Sequence, residues 1–397
     1  MRNRITINVI YTNIGRGHPY YLDGIVDELK SDYSKQINLQ ITDVFKISKG
    51  LSYLLWKIVD FAYKFGSQGG IIGQLYSFLR QKRNPQKKGL IEKILGRHIR
   101  KYIQSNRYPT IIAHPILVPM IADLTDIYYQ HGEIAVPPEA LVIGARKIYI
   151  PIDYSLKSYD KYLAYKNICQ LSGLCLPKII IQEAQANYRL RISRLERGEK
   201  PIGAFFSSGA EPIDHLKKII RTVNSLKNSG YKSILIYKKD GTSAKMVKKY
   251  FGSSYLSSLP NLTNNLKDQN IITLTFSNRN DLSEIEAALM PHIDYFVAPS
   301  HERTNWAVGL GLPMFILHPI IGTFSPLNRK FLLDNGVAID IDSDKKADRF
   351  ADILARCVKD KIMISMAQNG WNKYDLNGFM TIAKSLYNGI RIHSIHE

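Results

Sequence analysis

The sequence predicts an α/β protein made of two doubly wound parallel-sheet domains. Three observations carry that expectation. At 397 residues the chain exceeds the length at which one hydrophobic core keeps growing. Apolar runs of strand length alternate with stretches of helical periodicity along it, the pattern of β–α–β units. The turns between run and helix are rich in Gly, Ser and His, as at 12–18 and 207–210, where loose amides at a helix N-terminus can meet an anion.

Taken in order, residues 5–10 (ITINVI) alternate and read as a strand running into Gly15-Arg16-Gly17-His18. Leu22, Ile25, Val26 and Leu29 then mark a helix. Gly-x-Gly alone is a weak signal, and the competing reading is a tight turn with a solvated His. Residues 37–41 are the second strand, ending at Asp43. Over 51–65, Leu51, Leu54, Leu55, Ile58, Ala62 and Phe65 recur at helical spacing, with Lys57, Asp60 and Lys64 opposite. That pattern fits a core-facing helix with a solvated basic face, or an interfacial helix beside a membrane. A second apolar patch, 71–79, precedes the basic run Arg80-Gln81-Lys82-Arg83 and Lys87-Lys88.

Residues 108–113 form a strand leading to a His114-Pro115 corner, and 121–129 lead to Gln130-His131-Gly132-Glu133. Acid–base groups belong at such strand ends, so His131 and Glu133 are candidates for chemistry; the alternative is loop residues satisfying backbone amides. A further strand spans 147–151. Residues 154–165 suit a tyrosine-rich surface wall, 174–181 read as the last strand of a first domain (1–190), and the charged 189–200 as its connector.

The second domain (191–375) opens with a strand and Ser207-Ser208-Gly209. A helix over 212–226 follows, with Ile213, Leu216, Ile219, Ile220 and Val223 buried. Strands at 233–237 and 271–276 lead to the turns Asp240-Gly241-Thr242 and 277–280. Residues 294–341 are the most regular stretch. A strand at 295–297 meets a polar segment, 301–305, that opens a helix ended by Gly309-Leu310-Gly311-Leu312-Pro313. A strand at 314–317 meets a turn-rich loop, 318–325, and a helix from Asn328 closes at Asn335-Gly336. Residues 345–357 and 379–390 read as helices.

The net charge is +20, and residues 46–107 hold fourteen Lys and Arg against Asp60 and Glu92. Such a field selects anionic partners. Nucleic acid is disfavoured, because no helix-turn-helix, RNP-like aromatic pair or zinc motif accompanies the charge. Cys169, Cys175 and Cys357 suit core thiols in a reducing compartment. No signal peptide is expected before the first strand, and no apolar window of membrane-spanning length occurs.

Gly311-Leu312-Pro313, Pro319, Asn328, Leu332 and Gly336 together resemble the C-terminal domain of glycosyltransferase family 28, and more broadly the GT-B fold. That family includes the peptidoglycan N-acetylglucosaminyltransferase and the monogalactosyldiacylglycerol synthases. The resemblance implies two Rossmann-like domains with a cleft between them, and residues 376–397 as a helix crossing back to the first. It implies a nucleotide-diphosphate sugar donor, UDP-sugar favoured, on Ser207, Ser208, Gly209, Gly241, Ser277, Arg303, Thr304, Asn305, Gly322, Thr323 and Asn328. The Arg303 guanidinium would hold the diphosphate. It further implies Gly15, Gly17 and His114 around a general base, His18, with Glu133 and His131 behind it.

The acceptor would be an anionic membrane lipid or lipid-linked group met by 46–107, with transfer inverting and the protein peripheral on the inner face of the cell membrane. No metal and no covalent cofactor are expected. The family's ribose-holding Glu is replaced by Trp306, with Glu302 one turn earlier as a substitute, and its sugar-reading pair by Phe324 and Ser325. Those changes leave two alternatives, a UDP-sugar epimerase-like enzyme or an inactive binding protein.

Overall fold

The computed structural model describes residues 4–15, 17–70, 73, 89–160, 163–252, 259 and 262–396. The chain divides into two units, one of residues 1–66, 71–176 and 375–397, the other of 67–70 and 177–374. Each unit carries one six-stranded sheet, and every pairing in both is parallel.

The first sheet holds β1 (Ile5–Tyr11), β2 (Ile37–Asp43), β3 (Thr110–Ile112), β4 (Ile127–Gln130), β5 (Lys147–Ile150) and β6 (Cys169–Leu171). They lie in the order β2-β1-β3-β4-β5-β6. β3 and β4 are buried along their whole length, as strands covered on both faces must be, whereas the edge strand β2 leaves Ile41 in solvent. Helix α1 (Gly17–Tyr33) buries Leu22, Ile25, Val26 and Leu29 in one cluster with Phe379, Ile382, Ala383 and Leu386 of the C-terminal helix (Gly378–His396). Gly24 stands where the Phe379 ring leaves no room for a Cβ.

Helix α2 (Gly50–Gly66) carries the stripe read over 51–65. Its buried side is Ser52, Trp56 and Gly66. The Ser52 hydroxyl and the Trp56 indole N–H both donate to the Leu95 carbonyl of α3 (Leu90–Ser105), at 2.9 and 3.3 Å. Leu51, Leu54, Ile58, Phe61 and Phe65 are instead 59%, 54%, 52%, 61% and 49% exposed. The apolar stripe faces outward, against the core-facing reading. The patch at 71–79, except Gly73, and the basic run 80–88 lie outside the described residues.

The second sheet holds β7 (Gly203–Phe206), β8 (Ser233–Lys238), β9 (Ile271–Phe276), β10 (Tyr295–Ala298), β11 (Met314–Leu317) and β12 (Ala338–Ile341), ordered β12-β11-β10-β7-β8-β9. Trp306 is 2% exposed and packs edge-on against Phe206 and Phe296, each 5.5 Å away. It is a core residue and has no part at a ribose.

Three expectations from the sequence are corrected. Residues 174–181 are no strand: Pro177 caps a helical turn, Lys178–Gln182, that buries Ile180 and exposes Ile179. The expected boundary at 190 moves to 176/177, because the charged connector is helix α4 (Ala184–Glu196) of the second unit. The Arg191 guanidinium, 1% exposed, donates to the carbonyls of Ile293, Leu310 and Gly311 at 3.3, 3.0 and 3.0 Å. Arg194 pairs with the buried Asp294 at 2.8 Å. Tyr159, placed on the tyrosine-rich wall, is 1% exposed and belongs to the core.

Arg191→Ala leaves three carbonyls of the second unit without their donor. Its unfolding free energy should fall by about 3 kcal/mol, as for other broken buried charge networks. Urea unfolding checks this, and a loss under about 1 kcal/mol would mean that α4 is the dispensable connector its composition suggests.

Candidate functional site

In both sheets the winding direction reverses once, between β1 and β3 and between β7 and β10. Loops leave such a point in opposite directions and open a crevice at the strands' carboxyl ends. Both candidate clusters lie at these two places.

In the first unit the loop 12–18 follows β1. The Asp43 carboxylate anchors it, accepting from the Asn13 backbone and side chain at 3.2 and 2.7 Å and from the Phe45 amide at 2.7 Å. Gly15 has φ +71°, and a Cβ there would lie 2.6 Å from the Tyr63 hydroxyl. Only glycine meets both conditions. Gly17 begins α1, whose first turn carries no acid. His18, one residue on, sets its ring 4.5 Å from that of His114 at the end of β3. The His114 Nδ1 accepts from the Ile116 amide at 3.3 Å, which leaves Nε2 to carry the proton of the neutral ring. Glu133, after β4, puts Oε1 3.7 Å from the point a Gly17 Cβ would occupy. Four of the expected residues, Gly17, His18, His114 and Glu133, therefore converge; Arg16 lies outside the described residues. His131 does not join them. It is 3% exposed, holds the Ala135 carbonyl at 2.9 Å through Nε2, and burial pushes its pKa down to about 4.

In the second unit, 207–210 follows β7 and precedes α5 (Ile213–Asn228). Gln68, from the short segment 67–70 counted with this unit, donates to the Ala210 carbonyl at 2.6 Å. Glu211 takes a left-handed backbone, φ +50°. Its carboxylate accepts from the Thr242 and Ser243 amides at 2.6 and 3.4 Å and from the Ser243 hydroxyl. It thereby occupies the N-terminus of α6 (Thr242–Phe251). Gly241, expected at the nucleotide, is small because Glu211 fills the space beside it. Ser277 is likewise committed, its amide donating at 2.9 Å to Asp281 in the capping box of α7 (Arg279–Leu289).

Arg303 departs most from expectation. It is 5% exposed, lies 4.0 Å over the Phe206 ring, and pairs with Glu286 at 2.7 Å and Glu302 at 3.3 Å. Its charge is neutralised inside the unit, so it carries no diphosphate, and Glu302 is spent on it rather than on a ribose. Thr304 and Asn305 open α8 (Thr304–Gly309), and the Thr304 hydroxyl is bound to the His301 carbonyl. Asn328, in α9 (Phe324–Asp334), is fully buried and donates to the Ser300 carbonyl at 3.1 Å. Ser325, one of the two residues in place of the sugar-reading pair, shares a 2.7 Å hydrogen bond with Ser300. These contacts tie the loop after β10 to the loop after β11. Ile213, placed in the buried stripe, is 40% exposed.

Other groups remain available. Ser207 Oγ, His215 Nδ1, Asn305 Nδ2 and Thr323 Oγ1 are buried with no hydrogen-bond partner among the described residues. Unpaired buried polar atoms are costly, and these four stand on the segments that follow β7, β10 and β11. His215 is fully buried and holds the Pro319 carbonyl at 2.7 Å through Nε2, which turns the Nδ1 lone pair outward from that bond. Nothing local marks it beyond a His at the third position of an amphipathic helix. Gly322, φ +83°, leads into α9, while Ser208 and the exposed Gly209 lead to α5. Both helices end in amides able to face an anion. Two Asp-x-Asp triplets occur, at 340–342 and 342–344. Asp340 is bound by His318 and Arg329, Asp342 by Lys346 and Asp344 by Lys218. Among the described residues no three His, Cys, Asp or Glu gather as metal ligands, and no helix is long and apolar enough to cross a membrane.

No protein-family model matches the sequence, and no curated protein does. Solved structures do match along nearly the whole chain. MnaA of S. aureus, solved with UDP, is 10% identical, with 98% of this chain and 96% of that one covered at a TM-score of 0.59. UDP-GlcNAc 2-epimerase of Neisseria meningitidis, bound to UDP-GlcNAc, is 9% identical, with 98% and 100% covered at 0.56. MurG of Acinetobacter baumannii is 10% identical, with 97% and 100% covered at 0.52. The fold is therefore GT-B, with two Rossmann-like domains.

Burial pushes the pKa of His215, like that of His131, down to about 4, against 6.5 for an unhindered ring. Between those values the unfolded chain binds a proton that the fold refuses, so stability is full above pH 6.5 and is lost as pH falls towards 4. Each ring accounts for about 3 kcal/mol of that loss. Unfolding midpoints from pH 7 to 4.5 should drop less steeply in His215→Gln; equal slopes would show that this ring titrates normally.

Proposed function

We propose that this chain is an enzyme acting on a nucleotide-diphosphate sugar, with a UDP-sugar favoured. The observation that carries the reading is the set of unpartnered buried atoms on Ser207, His215, Asn305 and Thr323. Hydroxyls of a ribose and a hexose supply the complement to two hydroxyls, an amide N–H and an imidazole lone pair. The N-termini of α5 and α9 accept the diphosphate.

Acid–base work falls to His18, His114 and Glu133. Inverting a sugar carbon by proton chemistry takes a proton from one face and returns one to the other, two tasks for two groups; glycosyl transfer needs one base. A cluster of three such groups supports the epimerase-like alternative. So does the company of the fold, in which UDP-GlcNAc 2-epimerases recur more often than glycosyltransferases. That alternative is now placed ahead of glycosyl transfer. A second reading stands on one feature, the outward apolar stripe of α2. On that reading a sugar passes to a lipid-borne acceptor at the inner face of the membrane, His18 takes the acceptor proton, and the reaction inverts.

Calorimetric titration with UDP-, GDP- and ADP-sugars tests the common ground. UDP-sugar should bind, and Thr323→Val, which removes only Oγ1, should weaken it about tenfold, or about 1.4 kcal/mol. Binding of none of them, or an unchanged affinity in the variant, would sink the assignment. His18→Ala should abolish turnover while leaving nucleotide affinity intact. Solvent-deuterium entry into the sugar without acceptor marks epimerisation. Release of UDP only with lipid vesicles marks transfer.

A further inference from the structure

His301 combines a backbone that is fully committed with a ring that is not. It is the third residue after β10, at the opening of the second sheet. Ser300 before it is held by α9, sharing a 2.7 Å hydrogen bond with Ser325 and giving its carbonyl to Asn328 at 3.1 Å. The His301 amide donates to the Pro299 carbonyl at 2.9 Å. Its own carbonyl accepts from the Thr304 amide at 2.9 Å and from the Thr304 hydroxyl. The imidazole extends from this fixed turn, is partly exposed, and makes no hydrogen bond or ion pair among the described residues.

A second imidazole lies close by. His215 of α5 is fully buried, its Nδ1 lacks a partner among the described residues, and a charge on His301 disfavours a charge on it. The two rings differ in what they can offer. His215 already holds the Pro319 carbonyl through Nε2, so its Nδ1 presents a lone pair to a hydroxyl. His301 has neither nitrogen committed and can exchange a proton with solvent. The charged and titratable groups around it are His215 and its own neighbours Glu302 and Arg303, which pair with each other at 3.3 Å. Burial outweighs Glu302 and holds the His301 pKa below the ordinary range, so the ring is neutral in the free protein near pH 7. Arg303, the cation expected at a diphosphate, is neutralised by Glu286 and Glu302.

We infer that His301 meets the diphosphate of the nucleotide sugar and binds it as an imidazolium, taking its proton from solvent as the ligand enters. His215 stays neutral and accepts from a ligand hydroxyl. The inference rests on the nucleotide-sugar reading above and adds to it the side chain that faces the phosphates. A charged donor makes a hydrogen bond to a phosphoryl oxygen roughly twice as strong as a neutral one. The anion also offsets the cost of charging a partly buried ring, which raises its pKa in the complex. The bound ring then holds a proton at a pH where the free ring does not. By linkage, affinity rises as pH falls through that window and levels off below the free value.

Calorimetric titration of the full chain with UDP-GlcNAc, a diphosphate diester that does not itself titrate near neutrality, is the test. Buffers of different ionisation enthalpy count the protons. Wild type should take up close to one proton at pH 6 and bind about tenfold more tightly there than at pH 8. His301→Gln should bind about tenfold more weakly at pH 6, without uptake and with little change with pH. His301→Lys carries a permanent charge and should bind tightly at both pH values, again without uptake. His215→Gln should keep the uptake. Undiminished uptake in His301→Gln would assign the proton to another group and overturn the inference. Equal weakening in His301→Lys and His301→Gln would do the same, by reducing His301 to a structural part of the turn. Binding of UDP-GlcNAc to wild type without proton uptake would sink the inference and leave the nucleotide reading standing. Failure of every UDP-, GDP- and ADP-sugar to bind would overturn both.

Discussion

Strand polarity is the constraint on which the rest depends. When all six strands of a sheet run parallel, every carboxyl end lies along one edge, and every loop that enters a helix N-terminus leaves from there. Reversal of the winding at β1 and β7 then parts two of those loops, and only there does the edge open. The residues with chemical potential, His18, His114 and Glu133 in one unit and Ser207, His215, Asn305 and Thr323 in the other, follow strands at or next to these openings. Their nearness owes nothing to sequence spacing: His18 and His114 are 96 positions apart and 4.5 Å ring to ring.

A helix N-terminus or an arginine near such an opening attracts any anion, including one from the protein itself. Several motif residues were claimed that way. Glu211 occupies the amides of α6, Asp281 those of Ser277 and Asn278 just ahead of α7, and Glu286 with Glu302 the guanidinium of Arg303. Burying Arg303 beneath Phe206 without its carboxylates would leave a bare charge in a low-dielectric interior, which is strongly unfavourable. The pairing is therefore part of the fold. Among the atoms left to a ligand in the second unit are neutral ones, the hydroxyls of Ser207 and Thr323, the Asn305 amide and the His215 imidazole.

Helix α2 shows the same division between pattern and placement. Its periodicity establishes an apolar stripe but not the direction in which the stripe points. The outcome turned on two polar donors, Ser52 and Trp56, sharing the Leu95 carbonyl on the other face. The apolar stripe, two phenylalanines included, is left on the exposed side of the helix.

Much was legible in the residues alone. Apolar runs, glycine turns and helical stripes placed most strands and the longer helices, because each depends on neighbours within a few positions. Gly15, Gly17, His18 and the Ser207-Ser208-Gly209 turn could be located the same way, as loops between a strand and a helix. Tertiary structure alone decided which polar side chains were spent. The fates of Arg303, Asn328 and Gly241 rest on Glu286, Ser300 and Glu211, partners 17 to 30 residues away whose approach no local pattern encodes. The short run 174–181 failed for a related reason, since apolar composition without clear period suits helix and strand alike. His215 remained hidden because a histidine on a buried stripe looks like any other core residue until its second nitrogen is seen to lack a partner.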